Sequence, residues 1–207
     1  MAALQKSANI YLSRYATRLH PLAVAADPAT RQIVVIPCHR ETSLLQALQS
    51  LHSCQLPACR TEVIIVINHS AEAPANIKRL NRATFNEARE WAASHTSPLL
   101  AFYPVLAELP PKHAGVGLAR KAGMDEALHR FAQAGHNGAI ICLDADCTVS
   151  PGYLQSFATR FAEQQEAGLA VVPFQHHFQQ LTDDRLRQGI VHYELFLRYY
   201  VQGLRLA

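Results

Sequence analysis

The sequence contains no apolar run approaching a membrane span and no apolar signal core near its start, so the expected protein is soluble and cytoplasmic. A peripheral membrane contact through a missing region is left open. It has no Cys-x-x-Cys pair: Cys38, Cys54, Cys59, Cys142 and Cys147 are odd in number and scattered, as reduced cytosolic thiols are. It has no run of one charge either. The net charge is +3 with basic residues spread along the chain, which leaves nucleic acid without an electrostatic footprint. Repeats, low-complexity segments and composition shifts are also missing, so 207 residues read as one α/β domain with a sizeable core. Gly115-x-Gly117 is not a dinucleotide fingerprint, because no strand runs directly into it and Arg120 stands at the third glycine position.

What is present centres on residues 139–152, AIICLDADCTVSPG. A short apolar run rich in β-branched residues leads straight into Asp144 and Asp146, and Ser150-Pro151 then reads as an N-cap and N1 proline opening a helix. A strand this apolar is expected to be central. In open α/β sheets ligands sit at the carboxyl ends of the strands, so both acids should face a crevice. Two close carboxylates repel unless something positive lies between them. A hard divalent cation, Mg²⁺ or Mn²⁺, held by one or two carboxylates with waters and ligand phosphates, satisfies them. The alternative is a pair of solvated turn acids.

Four further strands are predicted, at residues 33–36, 63–67, 99–103 and 169–173. Helical spacing links Leu44, Leu45, Leu48 and Leu51 after a Thr42 or Ser43 cap. It also links Ile77, Leu80, Ala88, Trp91 and Ala92 within 75–95, then Met124, Ala127, Leu128 and Phe131, and finally Leu154, Phe157, Ala158 and Phe161. Strands alternating with helices imply a mainly parallel open sheet with helices on both faces. Residues 1–31 form a separate piece, a weakly amphipathic segment from Leu4 to Leu19 and a connector around Pro21 to Pro28. Residues 32–207 form the domain itself.

The segment 183–206 carries apolar residues around most of its circumference, and such a helix is expected to be buried on more than one side. It either self-associates or is covered by the continuation of a longer protein, and truncation is the favoured reading. His176-His177 is expected in an exposed loop. His39 and His69 are expected at adjacent strand ends, as pocket lining rather than a metal pair. Glu41 either caps a helix through the macrodipole or touches a ligand.

Several of these stretches resemble family 2 glycosyltransferases of the GT-A fold. Val35 to Glu41, VIPCHRE, is similar to the family's "V-I-P-x-x-N-E" strand and loop, and Ile65 to Ser70 resembles its second strand near "D-D/N-G-S". Gly115 to Gly123 is similar to "G-x-x-x-A-R-N-x-G", and Leu143 to Asp146 to "L-D-A-D-D". The resemblance spans residues 32 to 174, the donor-binding half. It implies metal-dependent, inverting transfer of a sugar from a nucleotide diphosphate sugar to the hydroxyl of an unidentified acceptor. Asp146 would bind the Mn²⁺ or Mg²⁺, and Asp144 would assist it or contact the ribose. Arg120, with Lys112 or Arg40, would meet the phosphates. Pro37, His39, Glu41 and Asn68 would line the base and ribose pocket.

The chain departs from the pattern at Asn68 for aspartate, Lys121 for asparagine and Cys147 for an acid. No catalytic base is identified, because nothing after Pro173 resembles the family's "E-D" pair; the base is expected beyond Ala207. A haloacid-dehalogenase-like phosphatase shares Asp144-x-Asp146-x-Thr148, but it needs a downstream lysine and the chain has none after Lys121. A non-catalytic nucleotide-binding domain is the third reading.

Overall fold

A computed structural model describes residues 2–17, 22–164, 168–176, 178 and 181–206. Leu19, Pro21 and His177 lie outside the described residues. The chain divides into two compact units, Met1–Gln165 and Glu166–Ala207.

The first unit holds α1 (Ala2–Arg14), β1 (Thr30–Cys38), α2 (Leu44–His52), β2 (Arg60–Ser70) and α3 (Ala75–His95). These are followed by β3 (Leu100–Leu109), a 3₁₀ turn (Pro111–His113), α4 (Val116–Ala134), β4 (Ala139–Cys142) and α5 (Tyr153–Glu163). The strands pair in the order β3-β2-β1-β4, and every pairing is parallel. This is the α/β class and parallel sheet expected from the alternation of elements. Strand alternation sends Val34, Ile36, Val63, Ile65 and Ile67 to a core shared with α2, α3 and α5. Ile33, Val35, Ile64 and Val66 go to the opposite core, against α4. Buried on both faces, β1 and β2 are therefore continuous β-branched runs rather than alternating ones.

Three expectations are corrected. Residues 168–176 form no strand, and Leu169 and Val171 are 84% and 85% exposed; apolar β-branched composition is not enough where no neighbouring strand offers a ladder. The strand expected to stop at Tyr103 runs on through Pro104 to Leu109, because β3 is the sheet edge and pairs only with β2, where a missing N–H costs no ladder bond. Finally, α5 begins at Tyr153 with Gly152 as its N-cap. Ser150 accepts the Tyr153 amide through its carbonyl at 3.0 Å, so Ser150-Pro151 form the turn before the helix.

The inward face of α4 also differs from the expected one. Met124 is 39% exposed, and the sheet is met by Ala119, Gly123 and Ala127. Small residues let helix and sheet approach closely. A Cβ at Gly123 would overlap Val35 Cγ1 and lie 3.2 Å from Val66 Cγ2, and both neighbours are stiff β-branched side chains. Gly123→Ala is therefore expected to destabilise by about 1–3 kcal/mol through overpacking, against a helix-propensity gain of at most ~1 kcal/mol. Urea unfolding measures the net; a rise in the midpoint would show that α4 can shift outward freely.

The N-terminal helix α1 is strapped to α4. Buried Asp125 accepts from Tyr11 Oη at 2.9 Å, from the Thr17 amide at 2.5 Å and from Lys121 Nζ at 2.6 Å. Lys121 also donates to the Tyr15 carbonyl at 2.7 Å. The lysine that departs from the family pattern thus serves the α1 contact.

The second unit contains α6 (Asp184–Leu206). Its Glu194 is buried, accepting from the His176 amide at 2.5 Å, from His176 Nδ1 at 3.0 Å and from Arg198 at 3.2 Å. His176 lies in a loop, half-buried, and its side chain pairs with Glu194. Tyr193, Phe196, Tyr199 and Tyr200 of α6 remain exposed. The backbone hydrogen bond from His176, with the His176 and Arg198 side chains, holds the Glu194 carboxyl below the usual carboxylate range. A depressed folded-state pKa gives stability that is present above the unfolded value, near pH 4.3, and lost as pH falls through the folded one. Hydrogen exchange of α6 amides is therefore expected to accelerate below about pH 4, and Glu194→Gln should flatten that acid dependence. Parallel acid profiles in the two proteins would refute it.

Candidate functional site

The chain leaves β1 toward β2 and β3 on one side and returns to place β4 on the other. The reversal makes a topological switch point at the carboxyl ends of β1 and β4, the place where ligands of open α/β sheets bind. β4 pairs with β1 up to Val35↔Cys142, and the Leu143 amide donates to the Val35 carbonyl at 3.0 Å. Asp144 and Asp146 thus leave the sheet beside the β1 tip, on a strand that is an edge of the described sheet and not the central one its apolar composition suggests. α4 starts at this same edge and brings Arg120 to it.

Both acids are exposed. Arg120 donates to Asp144 Oδ1 at 2.5 Å, so one of the two carboxylates is met by a guanidinium. The Asp146 Oδ1 atom has a weak contact from Cys147 Sγ at 3.7 Å. Burial, then the two aspartates, push the Cys147 thiol up, which keeps it protonated.

Four buried side-chain polar atoms among the described residues have no hydrogen-bond partner: Asn68 Oδ1, His69 Nδ1, Arg120 Nε and Arg60 Nε. Arg60 lies at the amino end of β2, with Nε 3.4 Å from Asp27. The other three sit at the carboxyl edge of the sheet. A buried unsatisfied group costs about 1–3 kcal/mol, and such groups in a native fold call for an explanation. Asn68 continues the Ile64, Val66 face, the α4 side, and so shares its side of the sheet with Arg120. His69 points to the other side, with Nε2 3.6 Å from Glu108; burial lowers its pKa and favours the neutral ring.

Among the remaining candidates, Pro37 is buried near the β1 tip, and His39 Nδ1 lies 2.8 Å from the Asn68 carbonyl. His39 and His69 therefore serve different contacts. Among the described residues no group of three or more His, Cys, Asp or Glu side chains is placed to hold a metal. Glu41 accepts the Ser43 amide at 2.8 Å, at the start of α2, which favours its capping role. Lys112 is exposed in the 3₁₀ turn. A groove of about 620 Å³ runs between α2 and α3, and of the expected site residues Arg40 and Glu41 line it.

Sequence reasoning missed Asn81, which is fully buried in α3. Its Nδ2 donates to the Asn68 carbonyl at 2.7 Å, and its Oδ1 accepts the Arg40 amide at 3.1 Å. The signal was present: a polar residue at helical spacing from Ile77, Ala88 and Ala92, on the apolar stripe.

Acids and a guanidinium stand at the switch point of a parallel α/β sheet, where ligands of such sheets bind. Residues 105–206 match the model of Glycosyl transferase family 2, so that part of the chain is similar to this family. The Gly115 and Asp144 motifs fall inside that match; the Val35 and Ile65 motifs precede it. Among solved structures, the chain is similar to S. aureus TarS 1-349, at 16% identity and a TM-score of 0.43, over 72% of this chain and 40% of that one. The same TarS fragment in complex with UDP-GlcNAc aligns at 15% identity and a TM-score of 0.39, over 72% and 38%. The chain thus spans well under half the length of these structures. No curated protein sequence matches it.

Proposed function

We propose that this chain forms the donor-binding part of a glycosyltransferase that moves a sugar from a nucleotide diphosphate sugar to an acceptor hydroxyl, with inversion at the anomeric carbon. The observation that carries the reading is the pair of unpartnered buried atoms, Asn68 Oδ1 and Arg120 Nε, on the α4 side of the edge where Asp144 and Asp146 emerge. An amide acceptor suits an N–H of a base, and a guanidinium beside carboxylates suits a diphosphate. Pro37 and His39 flank Asn68 and line the base and ribose pocket. Lys112 adds positive charge ahead of α4.

The donor set suits a cation that arrives with a diphosphate better than a resident one. Asp146 is an exposed oxygen ligand, Asp144 is engaged by Arg120, and a hard cation shared with phosphates needs only one or two carboxylates. Asp146, with Asp144 once released, would hold Mn²⁺ or Mg²⁺ there. Bound, that cation would stabilise the negative charge that develops on the leaving diphosphate. Arg120 turns from Asp144 to the phosphates as they bind, so the charge it neutralises in the free protein is exchanged for ligand charge. We assign no residue of this chain as the base. The test is thermal stability with UDP or GDP, with and without Mn²⁺, in the wild type and Asp146→Ala. Failure of every nucleotide diphosphate to raise the melting temperature would overturn the reading.

A further inference from the structure

We propose that Asn81 is a positioning residue for the nucleotide pocket, a single buried carboxamide that fixes the loops after β1 and β2 relative to each other. The inference rests on the nucleotide-site reading above. Among the described residues Arg40 is the sole non-glycine at positive φ, at 56°. The left-handed region is costly for a side-chain-bearing residue and persists where the surroundings hold it. Asn81 Oδ1 supplies that hold by accepting the Arg40 amide at 3.1 Å. The other end of the same carboxamide donates to the Asn68 carbonyl at 2.7 Å, and His39 Nδ1 meets that carbonyl at 2.8 Å.

The bond pattern is a closed loop: β1 tip to His39, His39 to the Asn68 carbonyl, that carbonyl to Asn81, and Asn81 back to Arg40. Asn68 exposes only 2% of its surface, so its Oδ1 cannot swing out to find a ligand and must be held in place beforehand. Asn81 lies on the α3 side, behind the pocket, and needs no ligand contact to exert this effect. Losing it leaves Arg40 free to relax to negative φ, which moves Pro37, His39 and the Asn68 backbone out of register. A carboxamide offers an acceptor and a donor at once. Asn81→Asp keeps the first bond and loses the second.

The experiment compares the full chain with Asn81→Ala, Asn81→Asp and the double variant Asn81→Ala/Arg40→Gly, using UDP and GDP with Mn²⁺ as probes in calorimetric titrations well below the melting temperature. Leu100→Ala, at the amino end of β3, serves as a variant destabilised away from the pocket. Expected are at least a tenfold loss of nucleotide affinity in Asn81→Ala and wild-type affinity in Leu100→Ala. Partial recovery is expected in the double variant, because glycine adopts left-handed φ without the clamp. Exchange of the Arg40 amide in ligand-free Asn81→Ala should rise at least tenfold. Binding by the unaltered chain that Asn81→Ala retains in full, or an affinity loss matched by Leu100→Ala, overturns this inference alone. No binding by the unaltered chain overturns the nucleotide-site reading and this inference with it.

Discussion

Arg130→Met is expected to destabilise the protein by about 3–5 kcal/mol, because it strands a buried carboxylate. Glu62 is fully buried at the amino end of β2, and Arg130 is 2% exposed. The guanidinium meets Glu62 twice, Nε to Oε2 at 2.5 Å and Nη2 to Oε1 at 3.0 Å. It also donates to the carbonyls of Val24 at 2.8 Å and Ala25 at 3.2 Å. Without it, Glu62 keeps the Thr30 hydroxyl at 3.0 Å and a longer approach from Arg60 at 3.8 Å, too little to solvate an ion. At roughly 2–4 °C per kcal/mol for a chain of this size, the melting temperature should fall by about 6–20 °C. Glu62→Leu combined with Arg130→Met removes both charges and should recover most of the loss, since an apolar replacement of a buried pair is often neutral or better. A single variant that melts within 2 °C of wild type would show that water reaches the pair.

That ion pair sits at the end of the sheet opposite the candidate site, and the contrast shows what could be read from the sequence. The strand tips were legible: β-branched runs stop where chemistry-bearing residues begin, at Cys38-His39, Asn68-His69 and Leu143-Asp144. Alternation of strands and helices makes the sheet parallel, which puts those tips at one edge of it. The buried polar contacts were not legible, because they join residues far apart in sequence. Glu62 looks like the exposed start of a strand until Arg130, 68 residues on, folds against it. Asn81 stands on the apolar stripe of α3, so its burial was legible, but its partners, the Arg40 amide and the Asn68 carbonyl, were not. The fifth strand failed for the complementary reason. Residues 169–173 have strand composition, but a strand is defined by a neighbour, and among the described residues they pair with none.

The charge arrangement at Asp144 leads to the second large effect. UDP or GDP with Mn²⁺ is expected to raise the melting temperature, and Mn²⁺ alone is not, because no described trio of ligands stands ready and Arg120 already neutralises Asp144. At a hundred times the dissociation constant, binding to the folded state alone stabilises by about 2.7 kcal/mol, or roughly 5–11 °C. Asp146→Ala should abolish the part that depends on the cation, since no other described carboxylate beside Asp144 remains to anchor it. Arg120→Ala separates the two roles assigned to the guanidinium. It frees Asp144 for the cation, so Mn²⁺ alone should then bind more tightly than to wild type. It also removes the charge that meets the phosphates, so the nucleotide without Mn²⁺ should bind more weakly. Tighter Mn²⁺ binding with unchanged nucleotide binding would mean that Arg120 only guards Asp144. Mn²⁺ binding equal to wild type, in the absence of nucleotide, would mean that the Arg120–Asp144 contact does not compete with the cation.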